Sequence, residues 1–412
     1  MERVILHSDL NCFYASAEIN ENPSLRGKKV AVCGSTENRH GIVLTASYPA
    51  KRAGVKTGMA NWEAQQACPD LIIVPPHYDL YLKYSHLVRR IYRRYCNDIE
   101  PFGMDENWLD IRGVSDPERD GREVAEEIRA AVKEETGLTV SVGASFNKVF
   151  AKLGSDLKKP DAVTVISEAN YRQKIWPLPV SELLYCGPAT TRRLRMMSIY
   201  TIGELAGCDP DLVRTKLGKN GVMLWAFANG LDCSPVMPSE YVPPVKSVGH
   251  GTTCVRDLDT DYEVWLVLYE LAQDVGHRLR EYGLTVRGVQ ITVRDRDLDW
   301  QQYQQPLRYP TRSPLEIAQA GYALFRAVYR WEKPVRALTI RGISPEQASA
   351  PVQTDLFDDY RSRERRRALD DAIDDIRRRF GSAAIRPAAL MGLALPATDK
   401  CETVPMPALM YR

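Results

Sequence analysis

The sequence has no paired-cysteine signature. Its nine cysteines are an odd number, and no two stand in a CxxC spacing. That argues against a disulfide framework and against a structural zinc site. The six histidines are scattered, so a His-based metal site is not expected. No apolar run approaches the roughly 18–20 residues that a membrane span needs. The first ten residues carry Glu2, Arg3 and Asp9 around a few apolar residues, which is unlike a signal peptide. These absences point to a reduced, cytoplasmic protein with no membrane partner. An excess of one charge is also lacking: 55 Lys+Arg against 53 Asp+Glu leave +2, so any nucleic-acid binding rests on local patches. What remains is ordinary soluble material, 44% hydrophobic and 26% charged over 412 residues. A disordered chain is excluded, and about two to four domains of roughly 100–200 residues are expected.

Residues 3–9 predict a buried strand that ends at an acidic residue. Strands follow at 29–34, 41–47 and 71–76, with short helices near 48–54 and 60–68. Leu80, Tyr84, Leu87, Ile91 and Tyr95 predict the apolar stripe of a helix over 78–98. IEPFG and NWLDI flank Met104, Asp105 and Glu106, a hairpin with two acids near its apex. A helix over 121–137 and a strand over 138–145 complete the order of a ferredoxin-like α+β unit. Residues 11–76 read as an insertion after its first strand. Residues 166–233 read as helical, broken at Gly187, Gly203, Gly207, Gly218 and Gly230. Prolines at 235, 238, 243 and 244 make 234–246 a tether rather than a packed element. Residues 247–346 repeat the βαββαβ order, and the two units are expected to share one topology. A polar tail holds QTDLF and a charged helix over 361–380, open to capping a domain or binding another partner, with its charge run expected to face solvent.

Asp9 ends one strand, and Asp105 and Glu106 lie in the later hairpin. First and third strands are neighbours in a ferredoxin-like sheet, so the three acids converge on one edge. Converging carboxylates repel one another unless cations lie between them. All-oxygen ligands favour Mg²⁺ or Mn²⁺ over Zn²⁺. Two such ions clamp an in-line phosphoryl displacement. From spacing alone, a solvated Asp-Glu turn is the more economical explanation of the hairpin, and the metal site is only a suggestion.

Longer motifs surround these acids. HSDLNCFYASAE at 7–18 and FGMDENWLD at 102–110 resemble the two acidic motifs of the Y-family, or translesion, DNA polymerases. TASYPAKRAGVKTGM at 45–59 is similar to their triphosphate-binding segment, and SVGASFNKVFAKLGSDLKKP at 141–160 to the stretch closing their palm. The four occur in family order and spacing, closest to the bacterial DNA polymerase IV and UmuC-like branch.

The resemblance implies an α+β multidomain right-hand polymerase. Its parts would be a ferredoxin-like palm at 1–10 and 77–165, small fingers at 11–76 and a helical thumb at 166–233. A linker at 234–246, a βαββαβ little finger at 247–346 and a tail at 347–412 would follow. It implies that Asp9, Asp105 and Glu106 bind two Mg²⁺ ions, with Mn²⁺ able to substitute, and that the Leu10 carbonyl is a further ligand. Tyr14 stands at the aromatic steric gate against ribose. Thr45, Tyr48, Lys51 and Lys159 match triphosphate contacts, and His40, Ile42 and Leu44 lie near the roof over the incoming base. Lys51 replaces the usual arginine and loses its bidentate fork. Asn11 replaces a frequent aspartate, Gly103 the usual serine, and Asn107 a small alanine.

YCGPATTRRL at 185–194 resembles the thumb's phosphate-gripping helix–hairpin–helix, with Tyr185 in place of the first glycine and Arg192, Arg193 and Arg195 nearby. Over 246–346 basic residues outnumber acidic ones by only 14 to 13. Arg287, Arg294, Arg296 and Arg341 are expected on strands, tracking phosphates or paired with neighbours such as Asp295 and Asp297. Gln353, Leu356 and Phe357 of QTDLF match a bacterial sliding-clamp motif. The expected activity is low-fidelity, template-directed synthesis across damage by a monomer, using primer–template DNA and dNTPs. The alternatives are a protein-templated single-nucleotide transferase, a non-catalytic clamp-bound scaffold, and a metal-dependent nuclease.

Overall fold

The computed structural model describes residues 3–37, 39, 41–111, 120–353 and 360–391. Their contacts divide them into two compact units. One holds residues 3–34 and 42–242; the other holds the described residues from 243 onward together with the 35–41 segment. Among the described residues no helix is long and apolar enough to cross a membrane.

The first unit opens with β1 (Val4–Leu10) and α1 (Phe13–Glu21). A three-stranded sheet follows, made of β2 (Val30–Cys33), β3 (Val43–Ala46) and β4 (Ile72–Val74), with α2 (Tyr48–Arg52) and α3 (Asn61–Ala67) between the last two. Next come α4 (Tyr78–Tyr92), β5 (Ile99–Phe102), β6 (Glu106–Ile111), α5 (Asp120–Thr136), β7 (Val140–Ser145), α6 (Lys148–Leu157) and β8 (Val163–Ile166). The larger sheet runs β5-β6-β1-β7-β8. Leaving β8 aside, this is the ferredoxin-like order, with β1 central and antiparallel to both neighbours.

All seven residues of β1 are buried, because helices cover both faces of the sheet. Val4, Leu6 and Leu10 join the core shared with α4 and α5. Ile5 faces the other way, toward Trp108 and Ala151 of α6, and His7 and Asp9 follow it on that face by the two-residue period. Glycine lets α6 come close: a Cβ at Gly143 would lie 1.9 Å from the Ala151 carbonyl oxygen.

Helix α4 ends six residues before the expected 98, where the chain turns through Arg93–Asn97 with Cys96 N donating to Tyr92 O at 3.2 Å. Its buried stripe is also rotated. Tyr81, Ser85, Val88 and Tyr92 are buried, and of the expected stripe only Ile91 is fully so. The polar atoms of Tyr81 and Ser85 disguised that face, and each has a buried partner: Tyr81 Oη donates to Glu18 and Ser85 Oγ to the Met104 carbonyl.

Helices α7 (Tyr171–Ile175), α8 (Pro188–Met196), α9 (Ile202–Ala206) and α10 (Pro210–Ala228) follow. Gly203 does not break a helix as expected; it lies within α9, where a Cβ would meet Trp176 Cβ at 2.8 Å. Gly218 does interrupt α10, at φ 66°. The proline-rich segment is not a loose tether over its first half. Val236 is buried beside Ile5 and Trp108. Arg3 donates to the Ser234 carbonyl, Met237 N to Glu100, and Ser239 Oγ to the Asn97 carbonyl. Lys148 and Glu100 form a buried 2.6 Å ion pair beneath it. Tyr241 and Val242 are exposed.

The second unit contains β9 (Ser247–Leu258), α11 (Asp261–Glu281), β10 (Leu284–Asp295), β11 (Trp300–Thr311), α12 (Pro314–Val328), β12 (Val335–Gln347) and α13 (Tyr360–Phe380). Its sheet runs β11-β10-β12-β9. The element order repeats that of the first sheet, but the topology does not: here the first strand lies at the edge and the second and fourth are central. The central strands carry Val286, Val289, Ile291, Val293, Leu338 and Ile340 into the core, whereas β9 and β11 are mostly polar. Polar residues and the prolines of β11 suit edges, where one side of the ladder is unpaired.

Helix α13 caps this unit through part of its charged surface, while Arg361, Arg365, Arg378 and Arg379 stay exposed. Arg280 grips Asp374 through Nε at 2.5 Å and Nη2 at 2.9 Å. His277 Nδ1 lies 3.2 Å from the same carboxylate. Arg366 pairs with Glu316, Arg312 with Asp371, and Arg386 with Glu270. Leu390, beyond the helix, is fully buried.

Candidate active site

Pairing of β1 with β6 sets Asp9 directly opposite Glu106. Leu10 N donates to the Asp105 carbonyl at 3.1 Å, which ties the hairpin apex to the end of β1. Helix α4 holds the other side of the apex: Ser85 Oγ donates to the Met104 carbonyl at 2.5 Å and Arg89 to the Gly103 carbonyl at 3.2 Å. Gly103 adopts φ 93°, and a Cβ there would lie 3.3 Å from Asp105 Oδ1. The glycine thus relieves a left-handed turn beside the acid.

Three carboxylates therefore share one edge, with Asp9 buried and Asp105 and Glu106 half-buried. Burial, and next the charge of Glu106, push the Asp9 carboxyl up to about 7 and that of Asp105 up to about 6. Burial acts the same way on Glu106, but His7 and Lys152 outweigh it and hold this carboxyl down at about 2. Lys152 Nζ donates to Glu106 Oε2 at 2.7 Å, and Lys159 Nζ to Asp9 Oδ2 at 2.6 Å. Behind them His7 Nδ1 bonds Ser155 Oγ at 2.8 Å, while its Nε2 lies 3.4 Å from Glu106 Oε2. Among the described residues no group of three His, Cys, Asp or Glu is drawn together as a metal cage. Here lysine ammonium groups engage carboxylate oxygens instead. An all-oxygen set, in which burial and then crowding raise two of the pKa values, nevertheless has the chemistry that a hard divalent cation fits.

Asn11 is occupied elsewhere: Oδ1 accepts from Asp161 N at 2.8 Å and Nδ2 donates to Ser141 Oγ at 2.9 Å. An aspartate could keep the second contact only by accepting from the Ser141 hydroxyl. The bond to Asp161 steadies the loop that follows Lys159.

Tyr14 stands on the first turn of α1, beside the apex, with Oη 3.9 Å from Met104 Sδ. Burial, then the charge of Asp105, pushes its hydroxyl up to about 12. The helix starts at Cys12, which takes a left-handed φ of 48°. Tyr48 starts α2, and burial, then the neighbouring Cys12, push its hydroxyl well above its ordinary range. Lys51 lies one turn on, its Nζ 5.3 Å from the Tyr48 ring centre. Thr45 is on β3, paired with Val32. The structure thus gathers Asp9, Leu10, Tyr14, Asp105, Glu106 and Lys159, with Tyr48 within electrostatic reach of Asp9 and Lys159. Of the expected roof, Ile42 is exposed, Leu44 packs on the core, and His40 lies outside the described residues. Sequence reasoning missed Lys152, His7 and Tyr81. The three-residue and four-residue spacing of Lys148, Lys152 and Ser155 on one helix was the available signal for Lys152.

Elsewhere, Tyr185 takes φ 67° before the α8 N-terminus, a left-handed position that would suit glycine. Arg192, Arg193 and Arg195 are exposed, and Arg193 bonds the Lys216 carbonyl. In the second unit Arg287 pairs with Glu346 and Arg294 lies over Trp300. Arg341 stands across from Gln290. Arg296 is not on a strand but in the turn after β10, and Asp295, Asp297 and Asp299 are bridged by Lys333 rather than by arginines. Gln353 is described, whereas Leu356 and Phe357 lie outside the described residues.

The impB/mucB/samB family matches residues 8–156, and the family's C-terminal domain matches 245–356. DNA polymerase IV of Acetivibrio thermocellus is 46% identical over 95% of this chain and 98% of its own. DNA polymerase IV of Moorella thermoacetica is 39% identical over 93% and 95%, and DNA polymerase IV 1 of Bacillus subtilis 36% over 94% and 93%. A solved Y-family DNA polymerase chimera of Dbh and Dpo4 superposes with a TM-score of 0.73 at 23% identity, over 83% of this chain and 98% of that one, and so shares the fold. Neither the single-nucleotide transferase nor the scaffold alternative finds support among these relatives. With a ferredoxin-like sheet that presents three acids at one edge, and relatives matched almost end to end, the chain belongs to the Y family of DNA polymerases, in its DNA polymerase IV branch.

Proposed function

We propose that this chain, a translesion DNA polymerase by family, carries its chemistry on Asp9, Asp105 and Glu106. The β1–β6 register, which places Asp9 opposite Glu106 with Asp105 bonded to the end of β1, is the observation that carries this reading. Primer–template DNA and the four deoxynucleoside triphosphates are the substrates. Asp9, Asp105, Glu106 and the Leu10 carbonyl would hold two Mg²⁺ ions, or Mn²⁺ in their place. When bound, these ions acidify the primer 3′-hydroxyl and neutralise the leaving pyrophosphate.

The chain's own residues do the rest. Lys159 is a cation that a triphosphate can draw toward itself from Asp9. Thr45, Tyr48 and Lys51 supply further hydroxyls and charge for the phosphates, with Lys51 acting as a point charge rather than a fork. Tyr14 closes the space beneath the sugar C2′. Lys152 and His7 sit behind Glu106 and keep it ionised and oriented.

In this reading residues 1–10 and 77–165 are the palm, 11–76 the fingers, 166–233 the thumb and 247–346 the little finger. The packing of 234–239 makes the start of the 234–246 linker part of the first unit. The protein works as a monomer in the cytoplasm, and Gln353, Leu356 and Phe357 tether it to the bacterial sliding clamp. Primer extension tests the whole reading. Template-directed insertion past a damaged base, with errors on undamaged template, is expected. Insertion of one nucleotide regardless of the template base would overturn it.

A further inference from the structure

The ring of Tyr14 does not stand alone. Tyr81, on α4, stacks against it with centroids 4.3 Å apart and planes 20° from parallel. Tyr81 is 0% exposed, and its hydroxyl donates to Glu18 Oε1 at 2.5 Å. Glu18 is itself buried, one helical turn after Tyr14 on α1, and His77 Nδ1 lies 2.9 Å from the same oxygen. Tyr78 meets both rings edge-on, at 6.3 Å from Tyr14 and 5.8 Å from Tyr81. One face of Tyr14 is thus covered by a ring whose far end is hydrogen-bonded into the core. Only its other side and edge remain for a substrate.

A steric filter discriminates only as far as it refuses to move. An aromatic side chain has two soft torsions, and a ring with space behind it can swing aside to admit one extra oxygen. Closely packed interiors resist such displacement, because the neighbour must move too. Here that neighbour is Tyr81, and its own movement would break a buried bond to a carboxylate, among the stronger hydrogen bonds a protein makes.

We infer that Tyr81, anchored by Glu18, is the backing plate of the sugar filter and sets how strictly ribonucleotides are rejected. It touches no substrate and acts through Tyr14, so it is a positioning residue; the inference rests on Tyr14 being the gate. Sequence reading assigned nothing to Tyr81, Glu18 or His77.

The test measures kcat/KM for a dNTP and for the matching rNTP in single-nucleotide insertion. Tyr81→Leu removes the plate. The rNTP value is expected to rise at least fivefold while the dNTP value stays within threefold of wild type. General damage to the fold would lower both and cannot produce the gain. Tyr81→Phe keeps the ring and loses the anchor. Its dNTP/rNTP ratio is expected to fall at least twofold, to between those of wild type and Tyr81→Leu, and it carries the test if Tyr81→Leu does not fold. An unchanged ratio in these variants, or a parallel loss of both activities, overturns the plate. Tyr14→Ala separates the two readings. If it collapses the ratio while the Tyr81 variants do not, the gate stands and the plate falls; if it leaves the ratio unchanged, the gate itself is wrong.

Discussion

Lys159 Nζ lies 2.6 Å from Asp9 Oδ2 and 2.9 Å from Asp156 Oδ1, so one ammonium bridges an acid of the proposed reaction centre and a carboxylate at the end of α6. Such a cation is available to a triphosphate. Lys159→Ala should raise KM for dNTP about tenfold, the scale of one charge-assisted bond, with primer–template affinity unchanged. Steady-state insertion kinetics alongside a DNA-binding titration would show it. An unchanged KM would leave Lys159 as a structural counter-ion only.

Removal of an acid is expected to be far more damaging. Asp105→Ala or Glu106→Ala should cut extension by at least about a thousandfold, since several kcal/mol of charge stabilisation are lost. Primer–template binding should persist. After chelation, Mg²⁺ or Mn²⁺ should restore the wild type and Zn²⁺ should not. Extension at the wild-type rate by either variant would sink the assignment.

The buried Lys148–Glu100 pair lies under the 234–239 segment, with Lys148 Nζ 4.3 Å from the Trp108 ring centre. Glu100→Ala strands a buried ammonium and removes the acceptor for Met237 N. A loss of about 3–5 kcal/mol is expected in denaturant unfolding. Glu100→Leu/Lys148→Met should recover part of it, because no charge is left unpaired. Equal stability of wild type and Glu100→Ala would show that the pair contributes nothing net.

The docking of α13 should respond to pH. The hydrogen bond to Asp374 raises His277 above its ordinary 6.5. Asp374 is held below its ordinary 3.8: burial opposes this, but His277 and Arg280 outweigh it. The His277 contribution is therefore full below about pH 6.5 and fades as pH rises through its higher folded value. That of Asp374 is full above about pH 4 and fades only in stronger acid. His277 is partly exposed, and Glu281 and Arg280 also face it, so about 0.5 kcal/mol is expected after solvent screening. Hydrogen exchange over 360–380 should be about twofold slower in wild type than in His277→Gln at pH 6, and equal at pH 9. A constant difference across that range would count against the coupling.

Clamp binding is expected to depend on Leu356 and Phe357, each contributing about 1.5–3 kcal/mol when buried in a pocket. The double alanine variant should lose affinity for purified clamp by orders of magnitude while extending a short primer normally without it. Undiminished affinity would point to another surface, such as α13.

Much of the candidate site was legible because it is written in local motifs. Asp9 closes a strand and Asp105 and Glu106 mark a hairpin, and a ferredoxin-like element order already makes those strands neighbours. Lys159, Tyr14 and Tyr48 came from the same short stretches. What the sequence by itself determined was therefore most of the elements, with α6 and β8 unread, together with the positions of the acids and the family. Tertiary structure decided what depends on partners distant in the chain. Strand order in the second unit differs from that in the first although the element order is the same, because edge or centre depends on which strands have apolar neighbours to pair with. The face of α4 that carries Tyr81 and Ser85 looked polar until Glu18, 63 residues earlier, and Met104, 19 residues later, supplied the partners that let it be buried. The charged helix reads as solvated until Arg280 and His277 meet Asp374 across about ninety residues of chain. Burial of a polar group is settled by its partner, and periodicity within one segment carries no record of that partner.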